Sequence, residues 1–241
     1  MNPLRLCLLL LLLAPWVASA AAGPPAPFTA HYTVHANGLK IGEMDRTLSR
    51  DDGGRYTLET RMYTTGLVAL FRDEHLLERS VWLPNNGEVR PLAYLYQQNG
   101  SRDRVERVDF DWQRGVATAR YKGRQFRLPL KPGVYDKLAY QVALREDLAA
   151  GRTQFDYRVV DKDEIDDYRF RVVGEESLKT PLGTLATVKV ERVGHGDKRK
   201  TVFWCAPNLG YALVQIVQQN RGNTFASYLT DWKGGPRSAL R

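Results

Sequence analysis

The stretch FTAHYTVHANGLKIGEMDRTL, residues 28–48, decides the fold. Its first nine residues alternate between apolar and polar side chains, which predicts a β-strand with one buried face. Asn37-Gly38 follows, and this dipeptide is the strongest short signal for a two-residue hairpin turn. The stretch therefore predicts two antiparallel strands that pair as a β-hairpin.

The register of this hairpin contains a conflict. A regular two-residue turn would place the apolar Tyr32 opposite the charged Glu43. One extra residue in the second strand moves the register by one position, so that Tyr32 pairs with Met44. We therefore predict a β-bulge at Gly42.

Short alternating segments, separated by turn signals about every ten residues, continue almost to the end of the chain, and this spacing is typical of sandwiches and barrels. One stretch differs, since Leu138, Ala139 and Val142 share one helical face and Asp136 can cap the helix. We predict an all-β fold of twelve or thirteen strands. Its curved antiparallel sheet closes into a barrel or half-barrel, with one covering helix near residues 136–150.

The first 20 residues have the three parts of a secretory signal peptide. Arg5 provides the positive charge, residues 6–13 are apolar, and Ala18-Ser19-Ala20 fits a signal-peptidase site, with cleavage as late as residue 22 also compatible. Cys7 lies inside the apolar run instead of after it, which argues against lipid attachment. We expect export to the periplasm.

The domain organisation follows from these signals, and no later segment has the roughly 20 apolar residues of a transmembrane helix. We expect four parts: a signal peptide at 1–20, a proline-rich linker at 21–27, a single β-rich domain at 28–233 and a disordered tail at 234–241.

The net charge of the chain and the distribution of its basic residues restrict the classes of binding partner. The chain has 35 Lys and Arg against 27 Asp and Glu, a formal net charge of +8. No pure Lys/Arg block of the kind that marks nucleic-acid arms is present, so we expect no nucleic-acid partner. A basic surface suits anionic lipid, and equally suits plain solubility. A lipid or another envelope component, and peripheral contact with a membrane, are the partner expectations.

The sequence predicts no catalytic residue, no metal site and no cofactor. The four histidines are scattered, at 31, 35, 75 and 195. The acidic run 161–167 lacks the Asp and Gly positions of an EF-hand calcium loop. Cys205 is the one cysteine outside the signal peptide and lies beside Trp204, so a buried, inert thiol is expected. These observations argue against an enzyme.

Seven aromatic residues of consecutive strands form the candidate ligand-binding set. In a curved sheet they either line an apolar cavity for an acyl chain or fill a closed core, and both interpretations stay open. In the first case Arg102, Arg104 and Arg107 gather at the mouth of the cavity. The seven residues are Trp82, Tyr94, Tyr96, Phe110, Trp112, Tyr121 and Phe126.

Four motifs in a fixed order resemble one family. They are NGLKIG at 37–42, TTGL at 64–67, TPLGT at 180–184 and WCAPNLGY at 204–211. The chain is similar through them to the bacterial exported family catalogued as domain of unknown function 3108 (DUF3108). This resemblance implies an exported β-rich domain without an assigned activity. In outline the fold also resembles that of periplasmic lipoprotein carriers, an analogy that assigns no function by itself.

Three hypotheses for function follow. The first is an exported periplasmic, non-enzymatic binding or envelope-maintenance protein that shelters an apolar ligand or a partner segment. The second is a structural interaction module with a filled core. The third is an envelope hydrolase, whose partners would have to converge from distant positions because no nucleophile with a base is visible in the sequence.

Overall fold

The computed structural model describes residues 25–101, 103–194 and 199–235. The predicted signal peptide and residues 236–241 of the predicted tail lie outside the described residues. Fifteen strands of this part of the chain form one sheet, so the predicted count of twelve or thirteen strands was too low. They are β1 Phe28–Ala36, β2 Leu39–Arg50, β3 Tyr56–Thr64, β4 His75–Asn85, β5 Glu88–Asn99, β6 Arg104–Asp111, β7 Val116–Tyr121, β8 Arg124–Pro129, β9 Val134–Tyr135, β10 Gln154–Asp161, β11 Glu164–Thr180, β12 Gly183–Val193, β13 Arg199–Ala206, β14 Ala212–Asn220 and β15 Asn223–Gly234. The helices are α1 Gly66–Phe71 and α2 Ala139–Ala149, with a 3₁₀ turn at Pro207–Leu209.

The first strand lies in the middle of the sheet. β1 pairs with β2 on one side and with β15 on the other, so that β1–β8 form an N-terminal wing and β9–β15 a C-terminal wing. Neighbours are antiparallel except β9 and β10, which are parallel. The edge strands β8 and β9 do not pair. The all-β prediction is confirmed, and the sheet is an open half-barrel and not a closed barrel.

The bulge predicted for the first hairpin is confirmed. Tyr32 pairs with Met44, and the register shifts beside Val34, which leaves Ile41 without a partner of its own. Gly42 is required at this point because a Cβ atom there would collide with the backbone carbonyl oxygen of Tyr63 on β3. The close approach of β2 and β3 therefore accounts for the glycine, while the bulge resolves the register conflict between the turn and the first strand.

The covering helix is also present, as α2. Asp136 caps it as expected, since its Oδ1 accepts hydrogen bonds from the backbone N–H groups of Leu138 and Ala139 at 2.9 and 2.8 Å. The helix contacts β5 of one wing and β10 of the other. Its side chains are buried on several sides, Tyr140, Leu144 and Leu148 among them. The helix therefore fills the inside of the half-barrel instead of covering it from outside.

The sequence pattern does not predict the second helix, α1. Its six residues, GLVALF, are too short to show a helical period, and none of them is buried. α1 contacts β2 and projects from the sheet.

Candidate functional site

An open cleft of about 420 Å³ lies where the two wings face each other above the first turn of α2, and we call it the inter-wing cleft. Strands of both wings and the helix contribute to its walls, so the site exists only in the complete fold. Its lining residues are Glu78, Tyr96, Arg104, Lys137, Tyr140, Gln141, Asp161, Lys162, Tyr168, Arg192, Thr201 and Gln218.

The sequence of β6 shows why the cleft is polar. Alternate residues of a strand share one face of the sheet. On β6 the inner face carries Arg104 and Glu106 near the cleft, followed by the buried Val108 and Phe110 further along. The polar end of the strand therefore lines the cleft, and its apolar end joins the core.

Glu106 joins the two wings across the gap in the sheet. Its side chain is fully buried. The carboxylate oxygens accept hydrogen bonds from Lys137 Nζ at 3.0 and 2.9 Å and from the backbone N–H of Lys162 at 2.9 Å. Lys137 Nζ also pairs with Asp161 Oδ1 at 2.7 Å. We call this network the Glu106 bridge; it holds the turn after β10 against β6, where strand pairing is missing.

The electrostatics of the bridge favour its charged form. Burial by itself lowers the pKa of Lys137, but the adjacent carboxylates of Glu106 and Asp161 outweigh burial, and the pKa is raised. Burial likewise raises the pKa of Asp161, and Lys137 and Lys162 outweigh it, so that this pKa is lowered. The bridge is therefore fully ionised at pH 7 on the Lys137–Asp161 side.

Tyrosine rings and arginines form the rest of the walls. The Arg104 guanidinium lies 4.9 Å from the centre of the Tyr96 ring, and that of Arg192 lies 3.5 Å from the Tyr168 ring. Burial raises the pKa of Tyr140, and of the other two tyrosines as well. The three hydroxyls therefore stay protonated at pH 7, when each can both donate and accept a hydrogen bond.

The cleft carries a small excess of positive charge. Four cationic side chains, Arg104, Lys137, Lys162 and Arg192, are accompanied by the carboxylates of Glu78, Glu106 and Asp161. Burial raises the pKa of Glu78, which accepts a hydrogen bond of 2.6 Å from the Tyr94 hydroxyl. A polar ligand group with negative charge fits this balance.

The structure distributes the seven predicted aromatic residues over several places. Only Tyr96 lines the inter-wing cleft. Trp82 is fully buried and stacks on Tyr56, with 4.4 Å between ring centroids, while Tyr94 is buried beside Glu78. These large side chains are therefore part of the packed core of the N-terminal wing.

The remaining four lie elsewhere in the N-terminal wing. Phe110 and Trp112 stack with 6.4 Å between ring centroids and line a separate groove of about 450 Å³. Tyr121 and Phe126 lie on β7 and β8, near the edge of the sheet, with Arg104 and Arg124 over their rings. A ligand-binding role for the set stays a prediction, but the seven residues do not share one cavity.

The arginines predicted to gather at the mouth of one cavity do not do so for the two that the structure describes. Arg104 lines the inter-wing cleft, whereas Arg107 lines a different hollow beside Arg79. Arg102 lies outside the described residues. The two arginines have opposite orientations because they are three residues apart on one strand, and positions separated by an odd number face opposite sides of a sheet.

Groups for nucleophilic chemistry are not brought together in the described part of the chain. Cys205 is fully buried, and burial raises the pKa of its thiol to about 12. His31, His35 and His75 do not line the cleft, and His195 lies outside the described residues. No group of three metal-ligating side chains occurs among the described residues. The side chains that do line the cleft are mainly tyrosines, charged residues and polar residues, which form hydrogen bonds and charge interactions.

Sequence reasoning missed the residues of the Glu106 bridge. The available signal was the phase of β6, where Arg104 and Glu106 occupy the same face as Val108 and Phe110. Charged residues at core-facing positions predict a buried polar network or a site.

The fold and the cleft define a single open half-barrel with a helix inside it. The family model described as a protein of unknown function (DUF3108) matches residues 31–230, and the chain belongs to this family. The family resemblance seen in the four sequence motifs is thereby confirmed. No curated protein matches the sequence.

A solved structure shares the fold at low sequence identity. The crystal structure of a β-barrel-like protein of domain of unknown function DUF1849 from Brucella abortus has a TM-score of 0.60 and 10% identity, and the match covers 88% of this chain and 99% of that chain. This likeness shows the fold alone.

Two further structures have lower scores. A putative lipoprotein from Parabacteroides distasonis matches with a TM-score of 0.34, 11% identity, and coverage of 87% of this chain and 96% of that chain. The lipoprotein LppX from Mycobacterium tuberculosis matches with a TM-score of 0.26, 11% identity, and 88% coverage of both chains.

Proposed function

We propose that this chain is an exported, non-enzymatic binding protein of the cell envelope that holds a ligand or a partner segment in the inter-wing cleft. The observation that carries the proposal is the cleft itself. Its walls come from both wings and from α2, and ion pairs such as Lys137–Asp161 hold them in place before any ligand arrives. A preformed site avoids part of the ordering cost of binding.

The chemistry of the walls indicates the kind of ligand. Tyrosine hydroxyls and a small excess of cations suit a polar group with negative charge, such as the head group of an anionic lipid or an acidic segment of an envelope protein. The apolar part of a lipid does not fit beneath α2, where the cavity between the helix and the sheet measures about 20 Å³. We therefore place only the polar end of a ligand in the cleft.

Export to the periplasm is supported by the signal-peptide features of residues 1–20. In the described residues no helix is both long and apolar enough to cross a bilayer. Two alternative functions remain. A structural interaction module would bind no ligand in the cleft. An envelope hydrolase would hydrolyse the molecule that binds there.

Peripheral contact with lipid is supported by α1. Leu67, Leu70 and Phe71 of this helix are 77%, 76% and 88% exposed, and Leu39 of the first hairpin is 73% exposed. Such a small projecting tip buries too little area for a stable protein interface, which needs about 1,200 Å², whereas a lipid surface accepts single apolar side chains. Phe71→Asp is expected to abolish flotation with anionic liposomes without changing the free energy of unfolding.

Native mass spectrometry of the protein purified from the envelope of its own host tests the proposed function. We expect a bound molecule with an anionic group at one copy per chain. A chain that is always free of ligand would support the structural-module alternative. Conversion of the bound molecule on incubation would support the hydrolase.

A further inference from the structure

Two arginine side chains lie buried together between α2 and the sheet. Arg46, on the inner face of β2, is 6% exposed, and Arg145, on α2, is 8% exposed. Both line the same small cavity of about 20 Å³ between α2 and the sheet, and Gln141 lies between this cavity and the inter-wing cleft because it lines both. Burial and then the neighbouring Arg46 lower the pKa of Arg145 to about 10, so its guanidinium is still charged at pH 7.

Only neutral acceptors satisfy these two guanidinium groups. Arg145 Nε donates to the carbonyl oxygen of Gly210 at 3.0 Å, and its Nη2 to that of Leu209 at 3.5 Å. Arg46 Nη2 donates to Gln141 Oε1 at 2.8 Å. Arg46 Nε is buried and has no hydrogen-bond partner.

Carboxylates do not neutralise the pair. Within the described part of the chain, neither guanidinium forms an ion pair. Glu78 and Glu146 interact with these arginines only through longer-range charge effects. Tyr32 and Cys205 also lie near, but burial raises the pKa of both, and both are neutral at pH 7.

This arrangement is costly unless something else is bound. Buried charges in proteins are normally paired or coordinate an ion. The other walls are largely apolar, with Phe28, Leu48 and Leu58 among them. Charge interactions are strong in such an environment, so repulsion between the two arginines and attraction for a counter-ion are both enhanced.

We propose that this cavity binds a small monovalent anion, of the size of chloride or of a carboxylate group, between Arg46 and Arg145. The volume accommodates one particle slightly larger than a water molecule. The bound anion accepts a hydrogen bond from Arg46 Nε. Because Arg46 lies on β2 and Arg145 on α2, the anion also holds the helix against the strand. The site is independent of the proposed function, because it lies beneath α2 and needs no ligand in the inter-wing cleft.

Unfolding in different salts tests this site. The full chain is unfolded with urea at constant ionic strength, in mixtures of sodium chloride with sodium gluconate, whose anion is too bulky for the cavity. Above the dissociation constant of the site, each tenfold rise in chloride is expected to lower the unfolding equilibrium constant about tenfold. Formate in place of chloride shows whether a carboxylate binds as well. Equal stability in all mixtures would overturn the proposal.

A substitution that supplies the missing negative charge gives a second test. Gln141→Glu is nearly isosteric and places a carboxylate at the hydrogen bond to Arg46. We expect this variant to be stable in gluconate and to lose the dependence on chloride. Gln219→Glu makes the same change at an exposed position of β14, and this control variant should keep the dependence of stability on chloride. Equal chloride dependence in both variants would show that the anion acts elsewhere.

A crystal grown in sodium bromide shows the occupant directly. An anomalous peak within hydrogen-bond distance of Arg46 Nε and the Arg145 guanidinium is expected. A water molecule without anomalous signal at that position would contradict the proposal.

Discussion

Replacement of Lys137 by methionine removes the cation of the Glu106 bridge and keeps the unbranched, flexible stem. Lys137 Nζ contacts both oxygens of the fully buried Glu106, at 3.0 and 2.9 Å, and Asp161 at 2.7 Å. Removal of one partner of a buried pair typically costs 3–5 kcal/mol, because the other charge stays buried. In this variant Glu106 still accepts the hydrogen bond from the backbone N–H of Lys162. We therefore expect a loss of about 3 kcal/mol in the free energy of unfolding.

Urea unfolding of Lys137→Met and of Lys40→Met at pH 7 measures this cost. Lys40 pairs with Glu43 at 2.9 Å on the surface, where both side chains are more than 40% exposed. An exposed pair contributes about 0.5 kcal/mol. If both variants lose the same stability, the bridge does not hold the two wings together, and our account of the cleft walls is refuted.

Three further substitutions test the fold. Gly42→Ala should lower the free energy of unfolding by about 2 kcal/mol, because the added Cβ would collide with the Tyr63 carbonyl. The control Gly53→Ala should lower it by under about 1 kcal/mol. Equal losses in the two variants would refute the close approach of β2 and β3. Burial raises the pKa of Asp136 to about 7 and outweighs the hydrogen bonds that lower it. The folded state therefore binds the proton more tightly than the unfolded state does. The contribution of Asp136 to the free energy of unfolding accordingly falls as the pH rises from about 4 to 7. Asp136→Asn should remove this fall, and an unchanged profile of unfolding free energy against pH would contradict the assignment. Cys205→Ala should lose only about 1 kcal/mol and keep ligand binding, whereas loss of binding in a stable variant would indicate a reactive thiol.

Local signals in the sequence were sufficient for part of the fold. The bulge was predictable because the turn at Asn37-Gly38 and the alternation from Phe28 to Val34 lie within one hairpin and demand incompatible registers. α2 was predictable from Asp136 and a helical period. Both depend on residues less than 15 positions apart.

Long-range geometry was not predictable in the same way. Closure of the sheet depends on whether β8 meets β9, and β9 has only two residues, too few to show a strand pattern. The cleft brings Glu106 to Lys162, 56 residues along the chain. The alternation of apolar and polar residues also assigned the aromatic residues to one face of the sheet, but it did not predict how deeply each side chain is buried. Trp82 and Tyr96 both belong to the inner side of the N-terminal wing, yet one is core and the other lines the cleft.

The central claim is that the inter-wing cleft is the binding site, and two adjacent glutamines test it. Both side chains are exposed on β14, but Gln218 lines the cleft and pairs with Thr201, whereas Gln219 points to the other face of the sheet. Gln218→Trp places a large side chain in the cleft from β14, a strand that carries no residue of the Glu106 bridge. Gln219→Trp adds the same side chain outside it.

Native mass spectrometry of both variants, purified from the envelope of the host, gives the fraction of chains that carry the ligand. We predict occupancy like that of the unsubstituted chain in Gln219→Trp and at least a tenfold loss of affinity, about 1.4 kcal/mol, in Gln218→Trp. Full occupancy of Gln218→Trp would contradict the assignment of the cleft as the binding site.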